Sequence, residues 1–206
     1  MPGSPIAGAT LVVGIGSNAS PHVLQHKFID AGLEVDDLER RLVGVRVAGL
    51  GVAHSAHVAR RGYIPAGPYR QPGAELATTA AWLEPAHLAV LDATEPNYHR
   101  MIVSSTFHPV RVGGTPHAFS GAFCLYVSRH GVLGDGPTAL APFSSQEAIL
   151  RWLGERIRPA LPAAADAAAA CCALADPDGG RRLFDGIHAA GLAHDARLAY
   201  ARVAVR

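Results

Sequence analysis

A short apolar strand that breaks into a glycine turn constrains this chain more than any other feature. Ala9-Thr10-Leu11-Val12-Val13 has the character of a buried strand and passes directly into Gly14-Ile15-Gly16-Ser17-Asn18. Ser20-Pro21 then supplies a helix N-cap followed by proline at the first helical position. Val23, Leu24, Phe28 and Ile29 recur on one side of the helix this opens, and Gly32 closes it. Strand, glycine turn and helix in that order gather backbone N–H groups at a positive helix end, where a carboxylate or phosphate is stabilised. Gly14 and Gly16 permit the tight turn and the close approach of a ligand. The same small residues also suit a plain strand-to-helix connection, so the turn's function depends on what the rest of the chain brings to it.

Several kinds of protein share such a turn. Gly14-Ile15-Gly16-Ser17-Asn18-Ala19 fits a loose G-x-G-x-x-A dinucleotide pattern, with Glu34 or Asp36 near the distance of a ribose-binding acid. Regular βαβ units do not follow, however. Gly16-Ser17-Asn18 after a strand also resembles the opening of the pterin pyrophosphokinases, but paired magnesium-binding aspartates are not recognisable downstream. A P-loop is excluded because no Gly-Lys-Ser/Thr follows.

Beyond the turn, residues 42–50 alternate as a strand, and residues 62–66 read as a short extended piece. The Gly, Pro and Gln of residues 67–73 read as a turn. Residues 75–83 form a further strand ending at Trp82 and Leu83, and Glu84-Pro85 opens a short helix that Pro96 stops. Strands are expected at 98–104 and 122–127, joined by a Gly/Pro-rich connection over 108–120. From Ser144 the pattern turns helical, with Ile149, Leu150, Trp152, Leu153 and Ile157 on one stripe. Later, Leu183, Phe184, Ile187 and Leu192 carry the apolar signal.

Composition narrows the function classes. The chain has 206 residues, is 49% hydrophobic and carries a formal charge of +1, which favours neither nucleic acid nor an anionic membrane. Lys27 is its only lysine, so Schiff-base chemistry has a single candidate, and that residue is expected to be a solvated surface lysine. Cys124, Cys171 and Cys172 form neither a C-x-x-C nor a plausible disulfide pair, which fits a reducing cytoplasm. No signal peptide or membrane span is expected. His54-x-x-His57 has a spacing seen in metal sites but lacks a nearby acidic partner, so no metal is expected there.

The segment Trp82-Leu83-Glu84-Pro85-Ala86-His87-Leu88-Ala89-Val90-Leu91-Asp92-Ala93-Thr94-Glu95-Pro96-Asn97-Tyr98-His99-Arg100 adds what the turn lacks. Together with Ile15-Gly16-Ser17-Asn18 and Tyr126 in a late strand, it resembles the γ-glutamylcyclotransferase-like superfamily over about residues 10–130. Members of that family open with a Tyr-Gly-Ser-Leu or Tyr-Gly-Ser-Asn turn. They also carry a short helix ending in Leu-Asp-x-x-Glu, followed by a Tyr. This chain departs from the pattern at Ile15, where an aromatic is usual, and at Pro96, where glycine is common.

The resemblance implies an α+β fold, a small mixed sheet or barrel over residues 1–143 with flanking helices; the helical pattern from Ser144, outside the family's core, adds a C-terminal extension over residues 144–206 packed on it. The resemblance also implies an enzyme that releases 5-oxoproline from a γ-glutamyl compound, with Glu95 as general base and no cofactor or metal. In this scheme Ile15, Gly16, Ser17, Asn18, Tyr98 and Tyr126 bind the substrate. A cytoplasmic protein acting on a small molecule is expected, with no nucleic-acid or membrane partner and homo-oligomerisation left open. The alternatives are a non-catalytic ligand-binding or protein-interaction member of the same fold, and a nucleotide-binding oxidoreductase that rests on the glycine turn alone.

Glu95 suits the role on position as well. Leu88, Leu91 or Asp92, and Glu95 recur at helical spacing, which turns Glu95 toward the apolar side. It also lies at the helix C-terminus, where the dipole disfavours an anion.

Overall fold

Proline and serine set the element borders in the first half of the chain in this computed structural model, which describes residues 6–113, 118–157, 166–200 and 202–203. Strand β1 (Thr10–Val13) leads into a 3-10 turn (Gly16–Ala19) and helix α1 (Pro21–Asp30). Ser20 caps α1, its Oγ accepting from the Val23 amide, with Pro21 in the first turn. A short helix α2 (Leu38–Arg41) precedes the long strands β2 (Leu42–His54) and β3 (Ala66–Leu83). Helix α3 (Pro85–Thr94) and strands β4 (Tyr98–Ser104), β5 (Val110–Val112), β6 (Ala118–Phe119) and β7 (Ala122–Ser128) follow. The remainder comprises β8 (Val132–Leu133), α4 (Gln146–Arg156), α5 (Ala167–Ala175), α6 (Pro177–Ala189), β9 (Ala193–His194) and β10 (Arg202–Val203).

The main sheet runs in the order β10-β4-β7-β1-β3-β2-β5-β6. It is mixed. β1 lies antiparallel to β3, with Leu11 opposite Trp82, and parallel to β7 through Val12 and Cys124. β4 and β7 pair antiparallel along their full lengths, from Tyr98 opposite Ser128 to Ser104 opposite Ala122. The α+β class expected from the sequence is the class observed.

The chain divides into two compact units. The first comprises Met1–Gly51, Pro68–Arg129 and Arg197–Arg206. Its core joins Leu24 and Phe28 of α1 and Leu88 and Leu91 of α3 to Val12, Ala81, Leu83, Cys124 and Tyr126 of the sheet. Each such Leu or Phe contributes roughly 1.5–3 kcal/mol by leaving water. The second unit comprises Val52–Gly67 and His130–Ala196. In it the apolar stripes of α4, α5 and α6 (Ile149, Leu153, Leu174, Leu183, Ile187) close over Ala56, Ile64, Leu133 and Ala141.

Three sequence expectations are corrected. The expected border at residue 143 is not a border between compact units. Helices α4 to α6 belong with residues 52–67 and 130–143, because Ala56, Ile64, Leu133 and Ala141 supply the apolar partners of their stripes. Residues 67–73 are not a turn but lie inside β3. Within β3, β1 pairs only with Ala80–Leu83, so the earlier part of β3 has no β1 neighbour to require the missing N–H groups of Pro68 and Pro72. The 108–120 connection contains two short strands, β5 against β2 and β6 against β5.

Candidate functional site

The first unit brings the glycine turn and the end of α3 together. Gly14 makes this possible, since a Cβ there would run into the Asn18 carbonyl oxygen and meet the Ala19 Cα at 2.7 Å. Gly16 turns with φ +57°, in the left-handed region that favours glycine. The turn is tied to the sheet by the Gly14 amide donating to the Thr79 carbonyl and by the Thr78 hydroxyl donating to the Gly14 carbonyl. Within it Asn18 is buried, Ile15 is half-buried, and Gly16 and Ser17 are exposed.

Pro96 fixes where α3 stops. The proline ring disfavours helical backbone angles in the residue before it. Glu95 accordingly leaves the helix at φ −118°, ψ 57° and caps its C-terminus. The Tyr98 amide then donates to the Glu95 carbonyl across a tight turn with Pro96 at its second position. The Glu95 side chain is 14% exposed. The inward placement read from helical spacing is therefore the observed one.

Asn18 Nδ2 donates to Glu95 Oε1 at 2.9 Å, joining segments 77 residues apart in sequence. Lys27 completes the group. Its Nζ donates to Glu95 Oε1 at 2.7 Å and to Asn18 Oδ1 at 2.9 Å, so three side chains close a triangle. This corrects the expectation of a solvated Lys27, whose side chain is only 17% exposed. The reason is local. Lys27 lies three residues after Leu24 and next to Phe28, the two buried residues of α1, so it borders the helix's inward face. That spacing and its standing as the only lysine were the signals in the sequence.

A second polar group stands on the same helix. Arg100 on β4 grips Asp92 with two hydrogen bonds, Nε to Oδ1 at 2.9 Å and Nη2 to Oδ2 at 3.0 Å. The Tyr126 hydroxyl on β7 donates to Asp92 Oδ1 at 2.9 Å. Burial, then the bond to Asp92, pushes the Tyr126 phenol well above its ordinary range. Tyr98 and Tyr126, expected at a pocket wall, are both buried in the core of the unit beside Leu88 and Leu91.

The histidine pair His54-x-x-His57 lies in the second unit. His54 Nε2 accepts from the Ser144 amide at 3.0 Å, which leaves its Nδ1 as the donor to the Ile64 carbonyl. Both ring nitrogens are thereby spent on the protein. His57 Nδ1 sits 2.6 Å from the Ser55 hydroxyl. Among the described residues no group of three or more His, Cys, Asp or Glu side chains is arranged to hold a metal ion. Nor is any described helix long and apolar enough to cross a membrane.

No family model and no curated protein sequence matches the chain. Among solved structures it is similar to a protein of Arabidopsis thaliana determined in solution, with 16% identity, a TM-score of 0.43, and 72% of this chain and 85% of that one covered. It is similar to a gamma-glutamyl cyclotransferase at 13% identity and a TM-score of 0.41, covering 58% of this chain and 66% of that one. YkqA from Bacillus subtilis is similar at 16% identity and a TM-score of 0.45, covering 68% of this chain and 45% of that one. Each is a likeness of fold at low identity.

Proposed function

We propose that this chain is a γ-glutamylcyclotransferase-like enzyme that releases 5-oxoproline from a γ-glutamyl compound, with Glu95 as general base and residues 15–18 as the ligand-cradling turn. The observation that carries this is the 2.9 Å hydrogen bond from Asn18 to Glu95. The two segments singled out by sequence, a glycine turn and a Leu-Asp-x-x-Glu helix end, meet at one place. In the proposed reaction the substrate's α-ammonium gives a proton to the Glu95 carboxylate. The freed nitrogen attacks the side-chain amide carbonyl and sheds a second proton as the ring closes, the C–N bond to the leaving amine breaks, and the amine departs as an ammonium carrying both protons, one of them returned by Glu95. Asp92, Arg100 and Tyr126 hold the end of α3 against β4 and β7, and so keep Glu95 in place. We assign Tyr98 and Tyr126 to the support of the site.

The Lys27–Glu95 ion pair favours a second reading, a non-catalytic member of the same fold. A carboxylate already held by an ammonium suits the binding of a zwitterion without turnover. The dinucleotide reading has no support in the sheet, where β1 runs antiparallel to β3 and begins no series of parallel βαβ units.

The test is 5-oxoproline release from γ-glutamyl amino acids, γ-glutamyl amines and glutathione by the full chain and by Glu95→Gln. Loss of the general base is expected to lower kcat about 10²- to 10⁴-fold. Full turnover by Glu95→Gln would falsify the assigned base, and binding of these compounds without turnover by the unaltered protein favours the second reading.

A further inference from the structure

We propose that Lys27 is a substrate-binding residue. Its ammonium takes the α-carboxylate of a zwitterionic α-amino-acid head while Glu95 takes the α-ammonium, so the site demands a free α-carboxylate. The inference rests on the γ-glutamyl reading above and deepens it by naming what the site selects in that group.

The side-chain triangle supplies the argument. An ammonium has three donors. Lys27 spends one on Glu95 Oε1 and one on Asn18 Oδ1, and the third has no partner among the described residues. Asn18 orients both charges, because its amide presents oxygen to the cation and nitrogen to the anion. The site thus holds one positive and one negative group side by side, with no net charge between them. A ligand whose ammonium and carboxylate are borne by a single carbon answers both charges at once. A ligand carrying only the ammonium answers Glu95 and leaves Lys27 without a counter-charge for its third donor.

The type of cation fits the task. The chain otherwise uses arginine throughout, yet here it places its one lysine. Arginine's planar fork is built to grip one carboxylate in a bidentate fashion, as Arg100 does with Asp92. The compact ammonium of lysine distributes donors in three directions and can serve Asn18, Glu95 and a ligand together. The competing explanation is an ion pair that only ties α1 to the end of α3. Such a tie affects stability but does not distinguish one substrate from another.

The experiment compares γ-glutamyl-alanine with its counterpart in which the α-carboxylate is a carboxamide and the α-amine is free. Binding is followed by calorimetry and turnover by 5-oxoproline release, for the full chain, Lys27→Met, Lys27→Arg and Lys27→Gln. The unaltered protein is expected to prefer the carboxylate about 10- to 100-fold, the range for one hydrogen bond to a charged group. Lys27→Met is expected to lose that preference, more through KM than through kcat, and Lys27→Arg to keep part of it. Lys27→Gln retains a donor toward Asn18 and Glu95 and is expected to lose the same preference where Lys27→Met does not fold. An unaltered protein without preference, or a preference unchanged in Lys27→Met or Lys27→Gln, overturns the inference and leaves the γ-glutamyl reading standing. Neither binding nor turnover of either compound by the unaltered protein overturns both.

Discussion

Glu95, which ends helix α3, shares its Oε1 with the ammonium of Lys27 from helix α1 at 2.7 Å. A carboxylate at the negative end of one helix is thus offset by a cation from another. Asn18 bridges the two through both ends of its amide, which makes it the hinge of the proposed site.

Asn18→Ala removes that bridge. Lys27 and Glu95 each lose one hydrogen bond, and a buried pocket is left where the amide stood. Stability is expected to fall by about 1–2 kcal/mol, measured by urea denaturation. Turnover of a γ-glutamyl substrate should fall well beyond what that loss explains, because the orientation of both charges goes with it. Activity unchanged in a folded Asn18→Ala protein contradicts the role given to Asn18.

Two glycine substitutions should differ sharply. In Gly14→Ala the new methyl meets the backbone of Asn18 and Ala19, which cannot yield without moving the turn, so a loss of about 2–3 kcal/mol is expected together with loss of the site. Gly44 lies in β2 with open space around its would-be Cβ. Gly44→Ala should be neutral or stabilise by up to about 1 kcal/mol. Equal melting temperatures for the two variants would sink the steric argument.

The Asp92 group offers a graded series. Tyr126→Phe removes one donor and leaves Asp92 held by Arg100, for an expected loss of about 1 kcal/mol. Asp92→Ala strips Arg100, itself 14% exposed, of its carboxylate, and about 2–4 kcal/mol is expected. The order of the two losses is the measurement, and its reversal argues against the group as described.

Acid should weaken the protein in two stages. Burial, with help from neighbouring His130, pushes His57 from the ordinary histidine value down to about 3. Burial also lowers His54, His87 and His108. Between about pH 6.5 and pH 3 the unfolded chain therefore binds more protons than the folded one. The stability these neutral rings carry is full above about pH 6.5 and declines as pH falls toward 3, by an amount on the order of a few kcal/mol. Asp37 and Asp135, held low chiefly by hydrogen bonds from Arg41 and Arg156, add a further loss below about pH 4. Trp82 and Trp152 lie one in each unit, so fluorescence of single-tryptophan variants reads the two units separately. A denaturation free energy that stays flat from pH 7 to pH 4.5 runs against this assignment.

Much of the first unit was legible locally. Ser20-Pro21 and Glu84-Pro85 mark helix starts and Pro96 marks a stop, because capping and the proline ring act over three or four residues. The alternation of Val43, Val45 and Val47 marks β2. The error at residues 67–73 has the same local origin. Pro68, Pro72 and Gly73 carry strong turn signals, and their tolerance in β3 depends on a neighbouring strand that stops short of them.

The sequence by itself determined that a glycine turn follows a buried strand, and that Glu95 ends a helix with its side chain turned inward. Both are consequences of short-range sterics and helical spacing. Only the tertiary structure decided that Lys27 stands between them, and that residues 52–67 and 130–143 belong with the late helices. Lys27 and Glu95 are 68 residues apart, and hydrophobic periodicity shows which face of a helix is buried but not what it is buried against. A side chain at the margin of that face, as Lys27 is, becomes a surface charge or a site residue according to the element packed beside it.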